Sequence, residues 1–144
     1  MSKAEKNEAL IRMIYDEYNK GNLNVYDEYF ADDFVSIRHD GNKLNKDEYR
    51  QFYQNIQNWF PDIHRTIKDL IVTDDRAALF FTWTGTDKFD RGGRTPTGKV
   101  IEVKEMYFIT FNEDGKISEY RQYGDSAAMG VQLGMLVPKE EVQK

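Results

Sequence analysis

Two side chains in this chain ordinarily titrate near neutral pH, His39 and His64, and there is no cysteine. With no third soft ligand and no H-x-x-x-H spacing, the two imidazoles do not define a metal site, and no metal is expected. His39 falls in the turn His39-Asp40-Gly41-Asn42 and reads as solvated. His64 opens a strand with Thr66 on its face, and is either a structural histidine or a group reaching a cavity. The polar side chains with a stronger claim are Tyr107 and Gln122, which lie in strands carrying large apolar groups on both faces. Tyrosine, with a pKa near 10, acts as a hydroxyl donor, and a glutamine has no titratable proton but orients a carbonyl or a water. Arg38 shares the parity of Phe34 and Ser36; facing inward, its guanidinium would bind a carboxylate or an enolate-like oxygen, and otherwise it pairs with an acid at the surface. Asp125, before Ser126-Ala127-Ala128-Met129, is either a working carboxylate or the N-cap of a short helix. Asp87 reads as a surface carboxylate on a loop.

The stretch that must position these groups is 100–135. A strand runs to a turn at Asn112-Glu113-Asp114-Gly115, a second strand returns, and a short helix starts near Asp125. On the first strand Glu105, Tyr107, Ile109 and Phe111 point one way, and Met106, Phe108 and Thr110 the other. Upstream, residues 3–20 are amphipathic, with Leu10, Ile11, Ile14, Tyr15 and Tyr18 at helical spacing and Gly21 following. A short helix at 25–30 leads to a strand at 34–38. Asn45 caps a third helix at 46–59, whose apolar side carries Tyr49, Phe52, Tyr53 and Ile56; Phe60-Pro61 ends it. Strands at 63–73 and 76–86 follow, then a loop rich in Gly, Pro and charge at 87–99. Helices first and antiparallel strands after them predict an α+β fold: one domain spanning 1–144, with three helices packed on the concave face of a cone-shaped, mainly antiparallel sheet. The charged residues 138–144 read as a frayed tail.

Composition narrows the function classes. The net charge of −5 is spread over mixed-sign segments with no basic stripe, which argues against nucleic acid. No run nears the ~18 apolar residues of a membrane span, and MSKAEKNEAL has no apolar signal core. The absence of cysteine fits the cytoplasm. Apolar side chains on strands, Phe80 and Val103 among them, suggest a homodimer that covers them.

Several strings, YFADDFV at 29–35, FPDIHRTIKDLIV at 60–72, TPTGK at 95–99, FNEDGKISEYRQYGD at 111–125 and QLG at 132–134, resemble the SnoaL-like polyketide cyclase family. That family belongs to the ketosteroid isomerase and nuclear transport factor 2-like superfamily, whose cone-shaped α+β fold the resemblance implies. It also implies where catalytic groups should stand. The His and Asp assigned to acid–base work in the family's final hairpin fall here on Tyr107 and Gln122. The isomerase pattern places its donor tyrosine at Ile14, its base at Arg38 and its second Asp at Tyr107.

A cofactor-free cyclase, isomerase or hydratase acting on a small hydrophobic, oxygenated molecule is the expectation, with a non-catalytic binding module of the same fold as the alternative. The expected catalytic set is Tyr107, Gln122, Arg38 and Asp125, and the expected pocket wall is Ile14, Tyr18, Phe34, Trp59, His64, Trp83 and Ile109. Catalysis, on this reading, would orient and polarise a carbonyl with Tyr107, Gln122 and Arg38 rather than use a carboxylate–histidine pair inside the cavity.

Overall fold

The computed structural model describes residues 1–90 and 92–137, so the expected tail at 138–144 lies outside the described residues. Helix α1, Lys3–Asn19, begins at a capping box: Glu5 N–H donates to Ser2 Oγ at 3.1 Å, and the Ser2 N–H donates back to the Glu5 carboxylate at 3.2 Å. It ends where Gly21 takes a φ of +78°, a conformation open to glycine. Helix α2 is Val25–Tyr29, and α3, Lys46–Trp59, repeats the capping box with Asn45 and Glu48. Asp125 caps the short helix α4, Ser126–Gln132.

Six strands form one curved, mixed sheet in the order β2-β1-β6-β5-β4-β3: β1 Phe30–Ile37, β2 Lys43–Asn45, β3 His64–Val72, β4 Arg76–Thr86, β5 Val100–Phe111 and β6 Ile117–Gly124. Only the β1–β6 pairing is parallel. Register shifts on β1, β3 and β5–β6 bend the sheet, as extra unpaired residues do. Helices α1 to α3 cover the concave face, and their side chains meet those of the sheet in one core. The α+β prediction therefore holds, with two local differences. Strand β1 starts four residues early, at Phe30, with Asp32 and Asp33 exposed in an irregular stretch of it. Strand β2 is new; its three residues are too few to show alternation.

The aromatic share goes mostly into this core. Tyr15, Tyr18, Tyr26, Tyr49, Tyr53, Tyr107 and Tyr120 pack with Phe30, Phe34 and Phe81 through tilted and edge-to-face contacts with centroids 4.6 to 6.2 Å apart. Outward-facing Met106, Phe108 and Tyr123 are exposed, whereas Val103, expected on the outside, is buried on the inner face.

Asp87 is also not where the sequence suggested. It is buried at the root of the 87–99 loop, where both its oxygens meet the Arg94 guanidinium and Oδ2 also accepts from the Thr97 N–H and hydroxyl at 2.8 Å. Arg94 donates onward to the Leu133 carbonyl at 2.8 Å, tying the loop to the end of α4. The Arg94 bonds, then those from Thr97, overcome the cost of burial and hold the Asp87 carboxyl well below the usual carboxylate range. A carboxyl whose folded pKa is depressed stabilises the fold above its unfolded pKa of about 4, and that contribution is lost as pH falls. Asp87→Asn should lower stability by about 3 kcal/mol at pH 7 and flatten the acid limb of a denaturation-midpoint series between about pH 5 and 2. An unchanged acid limb would mean that Asp87 is not the anchor of this loop.

Candidate functional site

The inner face of the β5–β6 hairpin opens, between α3 and α4, into a cavity of about 340 Å³. Its position follows from strand alternation. Ile101, Val103, Tyr107 and Ile109 on β5 are buried inward, and Glu105 has the same parity. Across the ladder Glu105 faces Gly124 and Tyr107 faces Gln122. A methyl group on Gly124 would lie 2.9 Å from Glu105 Oε1 and 3.2 Å from its Cγ, so the glycine gives this side chain its room. From β3 comes Arg65, flanked by Ile63; from the end of β1, Arg38; from α3, Phe52, Tyr53, Ile56 and Trp59; from β4, Trp83.

A hydrogen-bonded chain runs beneath the cavity. Ser36 Oγ donates to Gln122 Oε1 at 2.7 Å, and Gln122 Nε2 donates to the Tyr107 hydroxyl at 2.6 Å and the Tyr49 hydroxyl at 2.8 Å. Tyr107 and Tyr53 share a hydrogen bond of 2.9 Å, which brings the chain to the cavity wall. Both ends of the Gln122 amide are thus engaged, and Gln122 fixes the phenols in place. Burial, with the nearby Glu105 charge second, raises the Tyr107 pKa well above its ordinary 10; it stays protonated and acts as a donor.

Glu105 is the group the sequence reading missed. Burial pushes its pKa up to about 7, against the opposing pull of Arg65, then Arg38, then a hydrogen bond from Trp83. A carboxylate poised near neutrality beside phenol donors and two guanidinium groups is able to accept a proton from a bound molecule. The cavity wall thus holds a titratable carboxyl beside the neutral and cationic donors that the sequence suggested.

Of the expected residues, Arg38, Tyr107, Asp125, Trp59 and Trp83 line the cavity, and Gln122 lines a small recess of about 50 Å³ beside Arg38 and Glu105. Arg38 lies flat over Phe52, 4.5 Å from its ring centre, and is in none of the ion pairs found among the described residues. Asp125 is at the rim, where its side chain accepts from the Ala128 N–H at 2.9 Å as the cap of α4. Ile14, Tyr18, Phe34 and Ile109 are packed in the core beneath the cavity and not on its wall, because the tyrosines fill the closed end of the cone. His64 faces outward: the inward parity on β3 belongs to Arg65, which stands where a histidine was sought.

Similarities to known proteins agree with this architecture. The model of the SnoaL-like polyketide cyclase family matches residues 8–133, and the chain belongs to that family. The fold is shared with AclR from Streptomyces galilaeus, a candidate hydroxylase, at a TM-score of 0.84 and 23% identity over 97% of this chain and 93% of that one. It is shared with IdmH from Streptomyces antibioticus, a candidate polyketide cyclase, at a TM-score of 0.79 and 26% identity over 89% and 98%. A SnoaL-like polyketide cyclase candidate from Jannaschia sp. CCS1 gives a TM-score of 0.80 and 19% identity over 94% and 95%. A Dictyostelium discoideum protein, carboxypeptidase S-like 1, is 39% identical over 98 residues, covering 62% of this chain; the chain spans only 18% of its length. No helix among the described residues is long and apolar enough to cross a membrane.

Carboxyl-detected NMR should find Glu105 titrating near 7, far above the ordinary glutamate range. Gly124→Ala should leave the fold intact, because the added carbon meets the flexible end of Glu105, yet move that titration towards the ordinary range as the carboxyl is displaced. Titration near 4 in the unmodified protein would remove Glu105 as a base.

Proposed function

We propose that the protein is a cofactor-free enzyme of carbon-acid chemistry, an aldol-type cyclase or isomerase acting on a small hydrophobic carbonyl compound, and that Glu105 is its general base. The observation that carries this reading is the Glu105 carboxyl, set over Gly124 inside the cavity and poised near neutral pH. Ionised Glu105 takes the proton from the carbon next to a substrate carbonyl, and the C–H electron pair passes into the enolate. Arg38 and the Tyr53–Tyr107 phenol pair are the donors for that oxygen, replacing water in a largely apolar site. In a cyclisation the enolate carbon then attacks a second carbonyl of the same molecule, and the new alkoxide recovers the proton from Glu105. In an isomerisation the proton returns to a different carbon. Trp59, Trp83, Ile56 and Met129 supply the apolar wall that excludes water. Family membership supports this class of substrate without naming one.

A base must be deprotonated to act, so kcat/KM for an enolisable substrate should rise with pH and level off above about 7. Glu105→Gln should lose about 10²–10⁴ in kcat and abolish that acid limb, while Asp125→Asn keeps both. Should Glu105→Gln retain the rate, or should no carbonyl compound turn over, the cavity belongs to a binding module.

The protein acts, on the same proposal, as a homodimer joined through the outer face of the sheet, where Met106, Phe108 and Tyr123 are 54%, 44% and 59% exposed. Sedimentation equilibrium should give twice the 17.0 kDa chain mass, and Phe108→Lys with Met106→Lys should give monomers. A monomer before mutation refutes this.

A further inference from the structure

The mechanism just described gives Arg65 no task, yet its placement is unusual for an arginine. It points inward from β3 and is only 4% exposed. Buried guanidinium groups ordinarily sit against a carboxylate or several carbonyl oxygens, because an uncompensated buried charge is costly. Here the rings of Tyr18 and Tyr53 lie 5.2 and 5.0 Å from the guanidinium carbon and satisfy its faces. They leave its N–H edge unserved. Nη1 has no hydrogen-bond partner, and Arg65 takes part in none of the ion pairs found among the described residues. The hydroxyls of Tyr15, Tyr18 and Tyr26, in the same core, do not accept a hydrogen bond from it.

Arg65 and Arg38 line the same cavity, and the carboxyl groups that line it with them are Glu105 and, at the rim, Asp125, which is engaged in capping α4. Two fixed positive charges thus face one interior carboxyl. The rest of the wall is apolar and aromatic, with Trp59, Trp83 and Ile56 presenting the broad surfaces on which a ring stacks.

We propose that the molecule bound in this cavity carries a carboxylate on an apolar, ring-containing skeleton, and that Arg65 is the residue that binds the carboxylate. Arginine suits the role: its planar fork matches a carboxylate, and the tyrosine rings on its faces hold that fork in place before the ligand arrives. Arg38, lying over Phe52 at the mouth, is the second cation, drawing the anion in without making the buried contact. The inference rests on the cavity being the substrate site. It concerns binding alone, so it stands or falls separately from the role of Glu105 as base.

The test is isothermal titration calorimetry at pH 8 with 2-naphthoic acid and its uncharged isostere 2-naphthamide, on the full chain and its variants. The acid should bind about tenfold or more tightly than the amide. Arg65→Met should remove that preference, Arg38→Met should keep most of it, and Glu105→Gln should keep it or enlarge it. Equal affinity for the two probes, tighter binding of the amide, or no binding of the acid at millimolar concentration would overturn the proposal. So would a preference that survives in a folded Arg65→Met protein. Where Arg65→Met does not fold, the ¹⁵N side-chain resonances of the unmodified protein decide. A shift of the Arg65 guanidinium signals with the acid and not with the amide supports the assignment, and a shift confined to Arg38 overturns it.

Discussion

The pairing of β5 with β6 is the constraint on which the rest of the site depends. Its ladder sets Glu105 opposite Gly124 and Tyr107 opposite Gln122. Because side chains alternate with a period of two, a slip of one residue would turn both Glu105 and Tyr107 outward and bring Met106 and Phe108 into the core. The turn at Asn112–Gly115 holds that register from one end, with Gly115 at a φ of +76° and Asn112 Oδ1 accepting from the Asp114 and Lys116 N–H groups. Asp125 holds it from the other, where its N–H donates to the Lys104 carbonyl just as the chain turns into α4. A carboxyl placed by backbone hydrogen bonds at both ends of its hairpin is placed far more rigidly than one on a loop.

The closed end of the cone explains why so many of its aromatic residues are tyrosines. Phenylalanines of similar volume would pack there and offer a guanidinium their faces, as Phe52 does for Arg38, but they would give Gln122 no acceptor. Gln122 needs acceptors for its amide N–H groups and finds Tyr49 and Tyr107; Arg65 needs electron-rich faces and finds Tyr18 and Tyr53. The tyrosines thus keep a guanidinium in the interior without giving it a carboxylate. Had an acid paired with Arg65 directly, its charge would be neutralised locally, and neither Glu105 nor a bound molecule would feel it.

Much of the fold was legible because it rests on periodicity. The helical spacing of Tyr49, Phe52, Tyr53 and Ile56 after Asn45 gave α3 its observed bounds, and the run Arg76–Thr86 gave β4 its own. The site was legible only in part, and the failures share a cause. His64 was counted in the expected pocket wall, although alternation with Ile63 puts Arg65 inside and His64 outside. Glu105 was assigned the inward parity of Tyr107 and then passed over, as charged residues usually lie at the surface. Gly124 carried no signal at all, since the need for a missing side chain shows only once its partner across the ladder is known. For His64 and Glu105 the pattern was in the sequence, but an expectation about residue type outweighed it. The acid in an otherwise apolar inward row, Ile101-Val103-Glu105-Tyr107-Ile109, was the sign to follow.

Two carboxyl groups show how differently one fold can treat the same chemical group. Asp87 has an arginine against both oxygens and two further donors from Thr97, so its charge is satisfied in place and its affinity for a proton collapses. Glu105 has two arginines in the same cavity but none in ion-pair contact among the described residues, and burial is the larger influence on it. Its carboxyl is therefore left wanting a proton near neutral pH. Nothing intrinsic to aspartate or glutamate makes that difference, since their unperturbed values lie within about half a unit of each other. The separation comes from the count and reach of hydrogen-bond donors around each carboxyl. The Asp87 cluster pins the loop at 87–99 to the end of α4, and α4 brings Met129 to the cavity wall. The satisfied carboxylate thus braces one side of the enclosure that holds the unsatisfied one.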